Sequence, residues 1–311
     1  MRFGYWMPIF GGWLRNVRDE GMSIAWPYLR DLAIESEQHG FELSLIAELN
    51  LNDIKGHRAP SLDCWTLAPA IAAVTRTLEL MLAVRPNYHS PSLTAKALST
   101  LDTIAPGRVS LNVVSSWWKD EAAQYGALFD VHDARYTRTQ EWLDVVARLL
   151  REDTVTHRGP LYQLDGAILE PKPVQKPRPP LMIAGGGEQM TLRAVARLAD
   201  SCNVGGDLAT VRHKFAVLRQ HCDAAGRDYE AIERTHNFSW LIAGDDASVA
   251  AKRERYSTSG PLRGFVGTVS QAIDLVGQYR DAGVQLLINS DYRNHRETLE
   301  IFVSDIMPLF A

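Results

Sequence analysis

The chain has 311 residues, 46% of them hydrophobic and 23% charged, with a formal net charge of -4. That length holds a large core, and one (β/α)8 barrel routinely takes about 250 residues, so a single domain over 1–311 is expected. Mild acidity without a Lys/Arg-rich run argues against nucleic acid, scattered Cys64, Cys202 and Cys222 suit a reducing compartment, and no apolar run is long enough to span a membrane.

In chain order, Arg2 to Pro8 reads as a first strand. The opening MRFGYWMPIFGG, broken by Pro8 and Gly11, is too short for a signal peptide, and the expected location is the cytoplasm. Ala25 to His39 is helical, with Gly40 as its stop. Phe41 to Glu48 is a second strand, ending in the polar Glu48 and Asn50; Ser61 then caps a helix carrying Trp65, Leu67, Ile71 and Ala72. Leu78 to Val84 is the third strand, and Pro91 opens a helix that ends near Pro106-Gly107. Val109 to Val114 is a near-continuous apolar run of the kind a parallel sheet covers on both faces. Ser115 to Trp118 follows, then a polar stretch and a helix from about Arg135, with Trp142, Leu143, Val146, Leu149 and Leu150 at helical spacing. Thr154 to Ile168 looks like a small β excursion, and Pro171 to Pro180 like a stiff connector inside the domain. Strands at Leu181 to Ala184, Cys202 to Val204, Phe238 to Ala243 and Val284 to Asn289 complete the set. Helices at Glu188 to Ala199, up to Ala225, Val269 to Ala282 and Arg296 to Phe310 alternate with them. Eight such alternations predict an α/β fold, a closed parallel (β/α)8 TIM barrel.

In such a barrel ligands collect at the carboxyl ends of the strands. There, Asn112, Ser115 and Glu121 are open to two readings at even odds, ligand contact or turn and capping chemistry. Arg135 and Tyr136 open a helix, where a positive dipole, a guanidinium and a phenol suit a phosphate; a solvated ion pair is the commoner fate. The Gly185-Gly186-Gly187 turn lets backbone N–H groups approach an anion, but Met190 breaks the GxGxxG spacing, which disfavours a Rossmann site. Nine histidines offer no HExxH and no GxSxG is present, against a metal or a hydrolase. His132 beside Asp133 is either a cap or a polar site group. Trp6, Trp117 and Trp118 could stack a flat ring or fill the core, and Arg263 could reach over the pocket as part of a short lid between strands seven and eight.

The segments NVVSSWWKDE and HDARYTRTQEWL, with FGYW, LDTIAPGR, EPKPVQKPRPPLMIAGG and VGTVSQAIDLVGQYRDAGVQLLI, resemble the bacterial-luciferase-like flavin monooxygenases. The likeness is nearest to the alkanesulfonate, dimethylsulfone and pyrimidine oxygenase branch and covers nearly the whole chain. It implies a TIM barrel that uses reduced FMN from a separate NAD(P)H-dependent flavin reductase, O2 as co-substrate, peroxyflavin chemistry, and a homodimer or homotetramer. By the same resemblance Glu48 and Leu49 meet the flavin ring, Asn112, Ser115 and Glu121 line its site, and Arg135, Tyr136, Gly186 and Gly187 meet its phosphate. Residues expected nearest the chemistry are His132, Tyr292, Trp6 and Asn50. A bulge or non-proline cis peptide near Leu82–Ala83 is also implied. Phe238 and Trp240 fall where the sulfonate enzymes carry an arginine and a histidine, which leans towards a less charged or more aromatic substrate. Tyr292 and His295 are spaced one residue wider than in the family, so sulfonate specificity is not assigned, and the expected substrate is a small organic one, an organosulfur compound or N-heterocycle. The competing readings are an F420-dependent oxidoreductase on the same barrel and a flavin-binding protein without turnover.

Overall fold

A computed structural model describes residues 1–10, 23–53, 55–256, 262, 264–290 and 300–310. The elements in order are β1 (Arg2–Trp6), α1 (Trp26–Gln38), β2 (Leu43–Ile46), α2 (Cys64–Val74), β3 (Glu79–Val84), α3 (Pro91–Ile104) and β4 (Val109–Val113). Next come α4 (Lys119–Gln124), α5 (His132–Arg151), β5 (Val155–Arg158), β6 (Gln163–Ala167), β7 (Leu181–Ala184), α6 (Arg193–Leu198), β8 (Ser201–Val204) and α7 (Leu208–Ala225). The chain continues through β9 (Glu233–Phe238), β10 (Trp240–Ala243), α8 (Asp246–Tyr256), β11 (Phe265–Thr268), α9 (Val269–Asp281) and β12 (Leu286–Asn289). Eight of the strands close a barrel in the order β1-β12-β9-β8-β7-β4-β3-β2. The expected (β/α)8 barrel is therefore the fold. No helix among the described residues is long and apolar enough to cross a membrane.

Two compact units share the chain. In the first (Met1–Asp63, Asn203–Phe215, Glu233–Ala311), β1 runs parallel to β2 and β12. Its outward Tyr5 accepts a hydrogen bond from Ser36 on α1 (2.8 Å), while Phe3 meets Phe302 edge-on. In the second (Cys64–Cys202, Ala216–Ile232), β4 pairs with β3 and β7, and every residue of β4 is buried, as its apolar run requires. The indole N–H of Trp142 on α5 donates to the His89 carbonyl (3.0 Å). Asp102 and Asp200 stitch the proline connector down: Asp102 accepts from the Gln175 backbone and side chain (2.8 and 2.7 Å), and Asp200 pairs with Arg178. The β excursion is the antiparallel hairpin β5–β6.

Four expectations need correction. The seventh barrel strand is Glu233–Phe238, not Phe238 to Ala243; Trp240–Ala243 pairs with Phe265–Thr268 in a separate two-stranded parallel sheet. The apolar run WLIA reads as a buried strand, whereas ERTHNF reads as a loop until its polar groups find partners. Arg234 donates from Nε to the Gly283 carbonyl (3.2 Å), Asn203 donates to Thr235 (2.8 Å), and a ring nitrogen of His236 meets the Val204 carbonyl (2.8 Å). The span between strands seven and eight is thus not simply a short lid but includes β10, α8 and β11. Leu80 to Val84 stay in unbroken register with Val109 to Val113, so no bulge interrupts β3 against β4 at Leu82–Ala83, and the cis bonds of the described residues precede Pro171 and Pro177. Ser61 does not cap α2, which starts at Cys64; its hydroxyl donates to the Leu49 carbonyl (2.6 Å).

Candidate active site

Arg135, Tyr136 and Gly187, expected from sequence to form a corner for an anion, all lie in the second unit. Helix α5 starts at His132, one turn earlier than its apolar spacing suggests, and Val131 at its N-cap is extended with no side-chain cap. The first-turn N–H groups, which no i→i−4 partner can satisfy, are left to other acceptors. Arg135 lies on this turn with its guanidinium carbon 4.4 Å from the centre of the Phe129 ring, and its Nε is buried without a hydrogen-bond partner. Across from it the β7 strand runs into the glycine turn. Gly185 has φ +125°, a conformation that a side chain would strain, so glycine is required there. Gly187 has an ordinary φ of -67°, and its need for glycine is spatial: a Cβ there would stand 2.9 Å from Thr191 Oγ1 and 3.8 Å from the Tyr136 hydroxyl. The Thr191 hydroxyl itself lies 3.5 Å from that of Tyr136. The expected α-helix after the turn opens instead as one π turn, Glu188–Leu192, in which the Leu192 N–H reaches the Gly187 carbonyl (2.9 Å). Such turns recur at functional sites.

Two stretches about fifty residues apart, around Tyr136 and Gly187, therefore do meet. Thr191 and Phe129 complete the corner and were missed: an ordinary helix would turn Thr191 elsewhere, and nothing local marks Phe129 as a platform. Gly186 is half-buried within the same turn.

Beside this corner, Asn112 on β4 is 2% exposed and its Oδ1 has no hydrogen-bond partner. Ser115 is half-buried; Ser116, not singled out from sequence, is buried with an unpartnered Oγ. A buried polar atom left without a partner costs about 1–3 kcal/mol, so Asn112 near the end of β4 and Ser116 in the loop after it favour a polar ligand there. Glu121 is fully buried and is occupied by the protein: it forms an ion pair with Arg85 and accepts from the Tyr88 hydroxyl (2.9 Å). Its carboxylate anchors α4, and with it the Ser115–Trp118 loop, to the segment after β3. Arg85 was missed, although a charged residue directly after a barrel strand is a usable signal. Trp117 and Trp118 stack on each other (5.4 Å, 8°) with Trp117 half exposed, so the aromatic pair is not core. His132 is exposed, its Nδ1 2.8 Å from Asp133 and its ring 5.0 Å from that of Tyr136.

In the first unit Glu48 is buried after β2, and Leu49 and Asn50 begin a loop held by Asn52, whose amide donates to the Phe10 and Pro60 carbonyls (3.2 and 2.8 Å). Trp6 ends β1 half-buried. His236 on β9 stacks on Tyr279 of α9 (4.4 Å), and the Tyr279 hydroxyl donates to the Gly206 carbonyl (3.3 Å). Burial lowers the His236 pKa against the opposing pull of the Val204 carbonyl, and burial with Asp207 pushes Tyr279 up to about 12. Tyr292, His295 and Arg263 lie outside the described residues. Among the described residues no cluster of His, Cys, Asp and Glu could hold a metal.

The family model for luciferase-like monooxygenases matches residues 1–300. The chain belongs to that family. An FMNH2-dependent dimethylsulfone monooxygenase of Pseudomonas putida is 31% identical over 202 residues, 64% of this chain and 54% of the relative. The chain spans about half the length of the curated relatives it matches. In structure, the luciferase-like barrel here resembles EDTA monooxygenase from Chelativorans sp. BNC1 (TM-score 0.85, 20% identity, 99% and 93% of the two chains). It also resembles an F420-dependent secondary alcohol dehydrogenase (0.78, 20%, 99% and 98%). At such identities the likeness shows the fold alone.

Proposed function

We propose that this luciferase-like chain is the oxygenase half of a two-component system: it takes reduced FMN from a separate NAD(P)H-dependent flavin reductase and uses O2 to oxidise a small organosulfur compound or N-heterocycle. The observation that carries the reading is the convergence of Tyr136, Thr191 and Gly187 at an uncapped helix start with Arg135, whose Nε is buried and unpartnered. That donor set fits a phosphate monoester: a guanidinium, hydroxyls and free backbone N–H groups, with the first-turn carboxylate of Asp133 exposed beside His132 and that of Asp130 held by Arg138.

Reduced FMN, when bound, would supply the oxygen chemistry. The chain's own part is to bind, orient and keep water out. Arg135 and Tyr136, with the Gly186–Gly187 N–H groups, hold the phosphate. Asn112 and Ser115 offer hydrogen bonds to the polar edge of the ring, and Glu48 and Leu49 are assigned to the ring itself. Trp6, Asn50, His132 and Tyr292 remain the candidates for contact with substrate. Arg234 and His236 do lie on strand seven, but both are buried, Arg234 engaged with the Gly283 carbonyl ahead of β12 and His236 with Tyr279 of α9, so neither is assigned to an anionic substrate. A weakly charged substrate follows.

The test is turnover with a flavin reductase, NADH and a panel of sulfones, sulfonates and N-heterocycles, read by mass spectrometry under 18O2. One labelled oxygen in the product formed from a sulfone, bonded to carbon, or from a heterocycle is expected. Turnover with reduced F420 and no oxygen uptake would replace the proposal, as would tight oxidised FMN with no turnover of any panel member. A homodimer or homotetramer is part of the same reading, and light scattering checks it.

A further inference from the structure

Arg135 stands on Phe129, and the residue after Phe129 is not idle. Asp130 accepts from Arg138 Nε at 2.6 Å in a pair only 15% and 25% exposed. Arg138 lies one turn beyond Arg135 on α5, and Tyr162 of the β5–β6 hairpin is hydrogen-bonded to it as well; the Asp130 bond, ahead of burial, raises the Arg138 pKa. The hairpin is fixed to the same helix by Glu141, which accepts from the backbone N–H groups of Leu161 (3.2 Å) and Tyr162 (2.8 Å) and meets His157 Nε2 (3.1 Å). A side chain at Gly159 would collide with the Glu141 carboxylate, so the hairpin tip is shaped to this contact.

We propose that the Asp130–Arg138 pair, buttressed by the hairpin through Tyr162, is a positioning latch that sets the Arg135 guanidinium for the phosphate of the flavin; this rests on the phosphate reading above. The latch does two things. It pins the backbone that carries Phe129, so the ring stays beneath Arg135 and restricts where that guanidinium can point. It also keeps Asp130 occupied. A carboxylate one residue from the platform, if released from Arg138, would be drawn to the next guanidinium within reach and would cancel the charge an incoming phosphate needs. Neither Asp130 nor Arg138 has to touch the ligand. The role gives the hairpin, which leaves the barrel just after α5, a reason to be there.

The experiment compares dissociation constants of FMN and riboflavin, each reduced anaerobically with dithionite, by quenching of tryptophan fluorescence. Riboflavin lacks only the phosphate. Wild type should prefer FMN, and Arg135→Gln should abolish most of that preference. Asp130→Asn should weaken FMN about tenfold, the scale of one charge-assisted hydrogen bond, and leave riboflavin unchanged. Asp130→Asn with Arg135→Gln should bind FMN no more weakly than Arg135→Gln alone, because the latch acts only through Arg135. Phe129→Leu, which keeps an apolar filler, should show the same FMN-selective loss if Asp130→Asn folds poorly. Equal loss of both flavins, unchanged FMN affinity, or additive effects in the double variant would overturn the latch while leaving the phosphate site standing. Wild type with no preference for FMN would overturn both.

Discussion

Two side-chain pairs involve the segment from Ser115 to Tyr136, one near each end, and they differ in almost everything. Arg85 and Glu121 are 2% and 0% exposed; His132 and Asp133 are 65% and 88% exposed. The first pair is surrounded by protein, shares Tyr88, and fixes one end of the segment. The second is solvated at the other end, where the helix start stays open. The contrast says that the segment is anchored at α4 by a costly internal contact and left accessible at α5, as a binding surface needs. The sharpest way to break the comparison is to remove one partner of the buried pair. Glu121→Ala takes the carboxylate away from a buried guanidinium, and should destabilise the protein by about 3–5 kcal/mol in urea unfolding. Arg85→Met with Glu121→Leu should recover most of that. A Glu121→Ala loss below about 1 kcal/mol, the size of a surface pair, would erase the distinction.

The next largest effect belongs to the open end. Arg135→Gln or Tyr136→Phe should weaken reduced FMN by about 1–3 kcal/mol, one lost hydrogen bond to a charged group, with unfolding free energy close to wild type. Binding titrations and urea curves on the same variants separate the two. Flavin affinity untouched in both would remove the phosphate assignment, and a matching loss of stability would make these residues scaffold like Glu121.

Period and turn chemistry carried the barrel, since apolar runs such as Val109 to Val113 are buried on both sides whatever their neighbours. The meeting of Tyr136 and Gly187 was legible for a related reason: helix starts and glycine turns attract anions locally, so both stretches stood out without knowledge of the fold. What was not legible depended on pairing at a distance. Arg85 looks like any charged residue until Glu121, thirty-six positions on, is known to meet it. Strand β9 failed in the same way: Arg234, Thr235 and His236 enter the barrel wall because Gly283, Asn203 and Val204 satisfy them, and only the closed fold supplies those partners. The apolar Trp240–Ala243, which looked like the barrel strand, is buried instead by Phe238, Phe265 and Phe302 around Trp240.

His236 sharpens the comparison, because it is a buried titratable group with no opposite charge to compensate it. Burial, only partly offset by the Val204 carbonyl, disfavours the imidazolium, so the folded pKa lies below the ordinary value. The unfolded chain takes up this proton near pH 6.5, before the folded chain does. The stability gained by keeping His236 neutral is therefore complete above about pH 6.5 and is lost as pH falls from there to the folded pKa, at no more than about 1.4 kcal/mol per pH unit for one proton. His236→Phe keeps the stacking on Tyr279 and removes the titration, so its unfolding free energy should vary less with pH between about 5 and 6.5 than wild type. The same acid-side slope in both proteins would mean that His236 takes up its proton in the folded state as easily as in the unfolded one.

The smallest effect is expected at the exposed pair. His132→Ala removes a ring that water already solvates beside Asp133, and the Val131 N-cap leaves no side-chain cap to disturb, so unfolding free energy should move by less than about 0.5 kcal/mol. What His132 does share is the face of Tyr136, 5.0 Å from ring to ring. If it serves only as a solvated neighbour, FMN affinity and turnover both stay within twofold or so of wild type, the scatter of a neutral surface change. If it touches substrate, turnover falls while stability and FMN affinity hold, a pattern that no loosening of the helix start can produce, because loosening would weaken the flavin first. A drop in stability as large as that from Glu121→Ala would instead show that exposure is a poor guide here, and the division of this segment into an anchored and an open end would fall with it.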